Sequence, residues 1–300
     1  MLSVVLCTHN PRWGYIQRCL GALRSQMLAP HQWELLLVDN QSEEPIAQRV
    51  DLSWHPHGNI VREENLGLTS ARLRGIRESS GDLLVFVDDD NVLDPDFLEV
   101  AQRTMEEKTF LGSWSGQCRP AFETQPPEWT RRYWGNLVIR EFDSDIWSNL
   151  PRLPESMPCG AGLCVRREAA SRYLDLHESG KRPFQFDRNG KSLLSGGDND
   201  LAACACDIGL GIGLIASLKL THLISPERLT EEYLVRLCEG IFCSAVLLDH
   251  LRSSVSGAIS HQVKWHEPVR ALLARGPHRR IQLACLRGRR RGLELVASLS

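Results

Sequence analysis

Five apolar residues, Leu83-Leu84-Val85-Phe86-Val87, run without a break into three acids, Asp88, Asp89 and Asp90. A run of that length, free of Pro and Gly, reads as a buried strand. It would carry the carboxylates to its C-terminal end, the edge at which open α/β sheets bind ligands. Three adjacent acids repel one another unless a cation or hydrogen-bond donors neutralise them. Asp88 and Asp90, two apart on an extended segment, are expected to point to one side and grip one divalent ion, with Asp89 turned away. Oxygen ligands suit Mg²⁺ or Mn²⁺ better than a soft metal. The competing reading is a solvated acidic turn.

The pattern of apolar run followed by polar loop recurs upstream. Residues 3–7 are apolar and end in Thr8-His9-Asn10-Pro11, after which Ile16, Cys19, Leu20 and Leu23 recur at helical spacing. Residues 34–38 form a second strand ending in Asp39-Asn40-Gln41-Ser42, and residues 59–61 a short third one. Leu68, Ala71, Gly75 and Ile76 then make a helix face narrow enough to lie close on a sheet. Asp94-Pro95 is expected as N-cap and first residue of a helix running to about Glu107. Strands alternating with helices imply an α/β fold with a mostly parallel sheet flanked by helices. Neither a phosphate loop nor a dinucleotide fingerprint follows the first strand.

The second half is less periodic. Residues 110–157 hold Trp114, Trp129, Trp134 and Trp147 and several prolines, a segment that either stacks on a sugar or base or packs the core. Cys159 to Arg167 is a glycine-rich approach to a strand, with a helix from Glu168. A charged loop at 181–191 precedes Gly197-Asp198-Asn199-Asp200, where Asp198 or Asn199 is expected to cap a helix through Asp207. The glycine run 209–213 reads as a helix stop and turn. Residues 214–220 form a short strand or a pair of strands ending in Thr221-His222. Residues 230–251 give the longest helix, with Leu234, Leu237, Ile241, Ala245 and Leu248 on one face. Residues 270–291 are arginine-rich and helical, broken at Gly276-Pro277. Three parts follow: 1–110, 111–228 and a helical extension at 229–300.

A net charge of −2 argues against a protein built to coat nucleic acid. The 10 cysteines are scattered, many in apolar runs with no CxxC pair, which points to buried thiols and a reducing cytoplasm. The first residues read as a strand rather than a leader, and no stretch approaches the ~18 apolar residues of a membrane span. The basic C-terminal stretch leaves three readings open: contact with an anionic membrane surface, at its inner face, contact with a partner, or a solvated or disordered terminus.

Six motifs in order, Val-Val-Leu-Cys-Thr-His-Asn (4–10), Leu-Val-Asp-Asn-Gln-Ser (37–42), Asn-Leu-Gly-Leu-Thr-Ser-Ala-Arg (65–72), Phe-Val-Asp-Asp-Asp (86–90), Gly-Ala-Gly-Leu (160–163) and Gly-Asp-Asn-Asp-Leu (197–201), resemble the inverting family 2 glycosyltransferases of the GT-A, Rossmann-like fold over residues 2–225. The resemblance implies that Thr8, Asn10, Asp39, Asn65, Gly67, Arg72, Asp88 and Gly160 bind the nucleotide-sugar. It implies that Asp90, with Asp88 and His222, holds Mn²⁺ or Mg²⁺ on the diphosphate. Asp198 matches the acid of the family's Glu-Asp element and is the expected general base; Gly197 stands where Glu is usual, which keeps Asp200 as a second candidate. The implied activity is transfer of a sugar from a nucleotide diphosphate, UDP first among them, to a glycan or lipid-linked hydroxyl, as in polysaccharide biosynthesis. Nucleotidyl transfer also uses paired acids, but would want lysine in the first loop, and 8–14 has none. Gly197 motivates a third alternative, a carbohydrate-binding scaffold without turnover.

Overall fold

The computed structural model describes residues 1–151, 155–183, 186, 194–256 and 261–298. Two compact units are present, the first made of Met1–Ala121, Val138–Pro183 and Asp198–Leu223, the second of Phe122–Leu137, Phe184–Gly197 and Ile224–Ser300.

The first unit opens with β1 (Leu2–Thr8), α1 (Trp13–Arg24), β2 (Trp33–Asn40), β3 (Gly58–Glu63), α2 (Leu68–Glu78), β4 (Leu83–Asp88), β5 (Asn91–Leu93) and α3 (Phe97–Glu107). It continues with β6 (Leu111–Phe122), β7 (Ile146–Ser148), β8 (Leu163–Arg166), α4 (Arg167–Glu178), α5 (Gly197–Asp207) and β9 (Gly211–Ile224). Among the described residues one sheet runs β3-β2-β1-β4-β8-β6-β9-β5, with β7 also on β9. The strand that ends in the acids is central. β4 pairs in parallel with β1 and antiparallel with β8, and its Leu83 to Val87 are all buried. Burial on both faces is why its apolar residues are continuous rather than alternating; each such side chain removed from water contributes about 1.5–3 kcal/mol.

Two cores cover the sheet. One face holds Val4, Leu6, Leu35, Leu37, Val85 and Val87 with Ile16, Cys19 and Leu23 of α1. The other holds Val5, Leu36, Leu84 and Phe86 with Ala71 and Ile76 of α2 and Tyr173 of α4. α2 lies close because Gly75 has no Cβ: one placed there would stand 2.3 Å from a Val5 methyl.

The α/β architecture is that expected, with several differences in detail. Parallel pairing links β3, β2, β1 and β4, whereas β8 pairs antiparallel with β4 and β6, and β5 and β7 pair antiparallel with β9. The segment with faded periodicity contains a 12-residue strand, β6. Its small polar residues hide it: Ser113 and Ser115 are buried, with Ser113 Oγ donating to the Ala202 carbonyl and Ser115 Oγ accepting from Cys159 N–H. β9 is one 14-residue strand rather than a short one, and takes in Gly211 to Gly213; the helix before it stops where Leu210 N–H returns to the Ala205 carbonyl. α3 starts at Phe97, so Asp94 and Pro95 form the turn before it, closed by Phe97 N–H to the Asp94 carbonyl. α5 includes Asp198 and Asn199 in its first turn instead of being capped by them. Of the charged loop at 181–191, all but 181–183 and 186 lie outside the described residues. All 10 cysteines are free thiols and eight are buried; burial pushes the Cys164 thiol well up.

The second unit is helical: α6 (Glu231–Ser256), α7 (His266–Leu273) and α8 (Pro277–Ala297). Gly288 and Gly292 of α8 lie directly on Glu239, Cys243 and Val246 of α6. α6 buries Leu234 and Leu237 as expected, but further along it buries Cys243, Val246 and Leu247 while Ala245 is exposed, because α8 meets the helix on a rotated face. Pro277 starts α8, where its missing N–H costs nothing. Among the described residues no helix is long and apolar enough to cross a membrane.

Candidate active site

The parallel register sets the site. Thr8 at the end of β1 stands opposite Asp39 of β2, and Cys7 opposite Asp88 of β4, so three expected residues share one edge. The strand stops at Asp88 and the chain turns through Asp89 and Asp90 before β5. Strand alternation therefore does not govern the triplet, and the three acids diverge. Asp89, expected to turn away, accepts a 2.5 Å hydrogen bond from Thr8 Oγ1. Asp90 reaches a residue 132 positions on: its Oδ2 lies 3.3 Å from His222 Nε2, while Oδ1 accepts from Asn91 Nδ2 at 2.9 Å. β5 makes this possible, since Asn91 is the register partner of His222 on β9. Burial pushes the Cys19 thiol well up, and the charges of Asp90, Asp89 and Asp88 add to it, a sign of the negative field these acids maintain.

Asp39 is buried and its carboxylate is used locally. Ser42 N–H donates to Oδ1 at 3.0 Å, Ile46 N–H to Oδ2 at 3.2 Å, and Arg62 Nη1 to Oδ2 at 2.9 Å. Asp39 thus shapes the loop after β2 as well as fronting the edge. Its neighbour Asn40 organises the next loop: Nδ2 donates to the Asn65 carbonyl at 2.8 Å and Oδ1 accepts from Gly67 N–H at 2.8 Å. Asn65, for its part, donates N–H and Nδ2 to Glu63. Asn10 ties the first loop to the second, with its N–H on Ser42 Oγ at 3.0 Å and its Oδ1 accepting from Glu43 N–H at 2.9 Å. Asn10, Trp13, Ser42, Ile46 and Arg49 line a cleft of about 350 Å³ between these loops.

A second cluster forms around Gly160. Its N–H donates to Asp198 Oδ2 at 2.6 Å, and Asn199 Nδ2 donates to the Pro158 carbonyl at 3.0 Å, fastening the start of α5 to the glycine-rich loop. A Cβ at Gly160 would lie 2.7 Å from Arg72 Nη2 and 3.0 Å from Asp198 Oδ2, so glycine alone lets the loop pass between the guanidinium and the carboxylate. Arg72 comes from α2, and is buried. Asp200 behaves differently: fully buried, it is held bidentately by Arg182, Nε to Oδ2 at 2.6 Å and Nη2 to Oδ1 at 3.0 Å. That ion pair engages both Asp200 oxygens within the fold, whereas Asp198 faces the Gly160 loop.

Of the expected metal ligands, Asp90 and His222 meet and Asp88 ends the strand before them; among the described residues no group of three His, Cys, Asp or Glu side chains forms a metal cluster. The turn after Asp88 leaves Asp88 at the end of its strand and brings Asp90 to His222. A carboxylate and an imidazole still suit a divalent ion that takes its other ligands from phosphates and water. The tryptophans separate as well. Trp114 is fully buried in the first core, Trp147 is exposed and meets Phe110 with ring centroids 4.8 Å apart, and Trp134 packs on Phe122 in the second unit. Asn40, Arg62 and Arg182 had no sequence signal; each acts by completing the hydrogen bonds of a partner distant in sequence.

The family model described as glycosyl transferase family 2 matches residues 3–173. Among curated proteins, the Haloferax volcanii glycosyltransferase AglE is 34% identical over 92 residues, 30% of each chain. The putative glycosyltransferase EpsH of Bacillus subtilis is 28% identical over 112 residues, 37% of this chain and 32% of that one. The matched stretches thus span about a third of these relatives' lengths. Among solved structures, S. aureus TarS 1-349 in complex with UDP-GlcNAc shares the fold at a TM-score of 0.57 and 14% identity, covering 99% of this chain and 83% of that one. Its complex with UDP gives 0.53 at 17% identity, over 90% and 78%. Because that family model matches more than half of the chain, the chain belongs to glycosyltransferase family 2.

Proposed function

We propose that the protein is an inverting glycosyltransferase that moves a sugar from a nucleotide diphosphate, UDP in the first instance, to a hydroxyl of a glycan or lipid-linked acceptor. One observation carries this reading: the Asp90–His222 pair and the Gly160–Asp198 contact both belong to the unit whose β1 and β2 ends present Thr8 and Asp39. The UDP and UDP-GlcNAc complexes of TarS lend support, as a likeness of fold.

On this reading Asn10, Asp39 and the loop carrying Asn65 and Gly67 hold the nucleoside, and Asp88 lies by the ribose. Asp90 and His222 would hold Mn²⁺ or Mg²⁺. When bound, the ion neutralises charge on the departing diphosphate and makes it a better leaving group. Asp198, fixed by Gly160 N–H, takes the acceptor hydroxyl's proton. The acceptor oxygen bonds to the anomeric carbon as the bond to the β-phosphate oxygen breaks, the electron pair leaving with the nucleoside diphosphate; attack from the opposite side inverts the centre. Arg72, beside Gly160, supplies a fixed positive charge at the donor.

The test is a thermal-shift panel of nucleotide sugars with and without Mn²⁺, followed by transfer assays. A ligand at a hundredfold over its Kd stabilises by roughly 2.7 kcal/mol, so the true donor should stand out. No stabilisation by any nucleotide sugar, or full transfer by Asp90→Asn, overturns the proposal. Tight UDP binding without transfer or donor hydrolysis would favour a scaffold instead.

A further inference from the structure

Helix α7 is inside out for a helix on a globular surface. Its packed side presents Ala271, 2% exposed, and Glu267, which pairs with Arg289 of α8 at 2.9 Å. Its outer side presents Trp265, 84% exposed, then Val269 at 50%, Leu272 at 52% and Leu273 at 77%. Positions 265, 269, 272 and 273 follow i, i+4, i+7, i+8 spacing, so these side chains form one apolar stripe. Lys264, Arg270, Arg275 and Arg279 flank it, all exposed, and none makes an ion pair among the described residues. Two arginines further along α8 are committed elsewhere, Arg280 to Glu231 and Arg287 to Glu239 of α6.

An exposed indole and three aliphatic side chains, flanked in sequence by exposed cations and with Glu267 paired to Arg289, match the chemistry of a bilayer surface rich in acidic headgroups. The apolar stripe enters the headgroup and acyl boundary while lysine and arginine stay among the phosphates. We propose that α7 docks this protein on an anionic lipid surface. The contact depends on both parts: Trp265, Leu272 and Leu273 supply the insertion, and the four cations supply the selectivity for negative charge. The proposal is independent of the catalytic reading, because it rests on residues of the second unit alone.

The test is co-sedimentation of the full chain with phosphatidylcholine vesicles made with and without phosphatidylglycerol, at low and high salt. Binding is expected only to the phosphatidylglycerol vesicles and should weaken as salt rises. Trp265→Ser with Leu273→Ser should reduce partitioning by about tenfold or more, and Arg270→Glu with Arg275→Glu should abolish the preference for anionic lipid. Since all four side chains are exposed, thermal melts of the variants should match the parent, and nucleotide-sugar binding in detergent-free buffer should be unchanged. Absence of vesicle binding by the parent overturns the proposal. So does equal binding by both double variants, or a parent that sediments as a dimer in solution which Trp265→Ser and Leu273→Ser dissolve without any lipid contact.

Discussion

The two ends of the parallel strands use their acids in opposite ways. At the N-terminal ends, Glu34 accepts from Ser3 Oγ at 2.6 Å, Ser80 N–H at 2.6 Å and Gly81 N–H at 3.3 Å, and Arg167 closes the same corner by donating to the carbonyls of Ile76 and Gly81. The bonds there come largely from main chain and hydroxyls, which neither titrate nor move. At the C-terminal ends, Asp90 shares its carboxylate with a histidine, and Asp198 accepts from the N–H groups of Gly160 and Asn199 beside a buried arginine. The first end is finished as a structure; the second keeps its charges in groups that can exchange partners with a ligand. Fully satisfied acids stabilise a fold, whereas acids paired with titratable groups are poised for chemistry.

The strongest challenge to this contrast is Asp198→Ala, which should lower kcat by about 10²–10⁴-fold while leaving UDP-sugar binding by calorimetry nearly unchanged. An unaffected kcat would break the assignment. Asp90→Asn should lower transfer by about 10²–10³-fold and abolish any dependence of nucleotide binding on Mn²⁺, read as a metal titration of the thermal shift. Gly160→Ala should cost about 10²-fold in kcat, since the new methyl pushes Arg72 and Asp198 apart with no change in chemistry.

Asp200→Asn sharpens the contrast from the other side. Leaving Arg182 without its buried partner should destabilise the fold by about 3–5 kcal/mol in urea melts, with kcat of the folded fraction preserved. The smallest effect belongs to Glu34. Burial pushes its carboxyl up, but the hydrogen bonds of Ser3, Ser80 and Gly81 together hold it below the usual carboxylate range. A depressed folded value means its stabilisation is present above the unfolded pKa and is lost as pH falls through the folded one. Glu34→Gln should therefore flatten the acid limb of the stability profile and leave the pH profile of transfer alone.

Local pattern made much of the first unit legible. The run 83–87 announced a central strand because burial on both faces demands unbroken apolar residues, and Gly75 announced a close helix because small residues allow one. β6 stayed hidden because two of its buried positions are serines, whose burial is favourable only once distant partners, Ala202 and Cys159, accept or donate hydrogen bonds. The same limit applied to the acids. Alternation along an extended strand grouped Asp88 with Asp90, but the chain turns after Asp88, and Asp89 rather than Asp90 reaches Thr8.

From the sequence alone came the identity of the edge: which strands end in polar residues, and that Thr8, Asp39 and Asp88 share it. Only the tertiary structure decided how the acids divide their work, committing Asp200 to Arg182 and setting Asp90 against His222. Hydrophobic periodicity is written in neighbouring residues and survives as a string. The partner of a carboxylate lies 18 residues away in one case and 132 in the other, and is chosen by register and loop geometry that exist only once the sheet has closed.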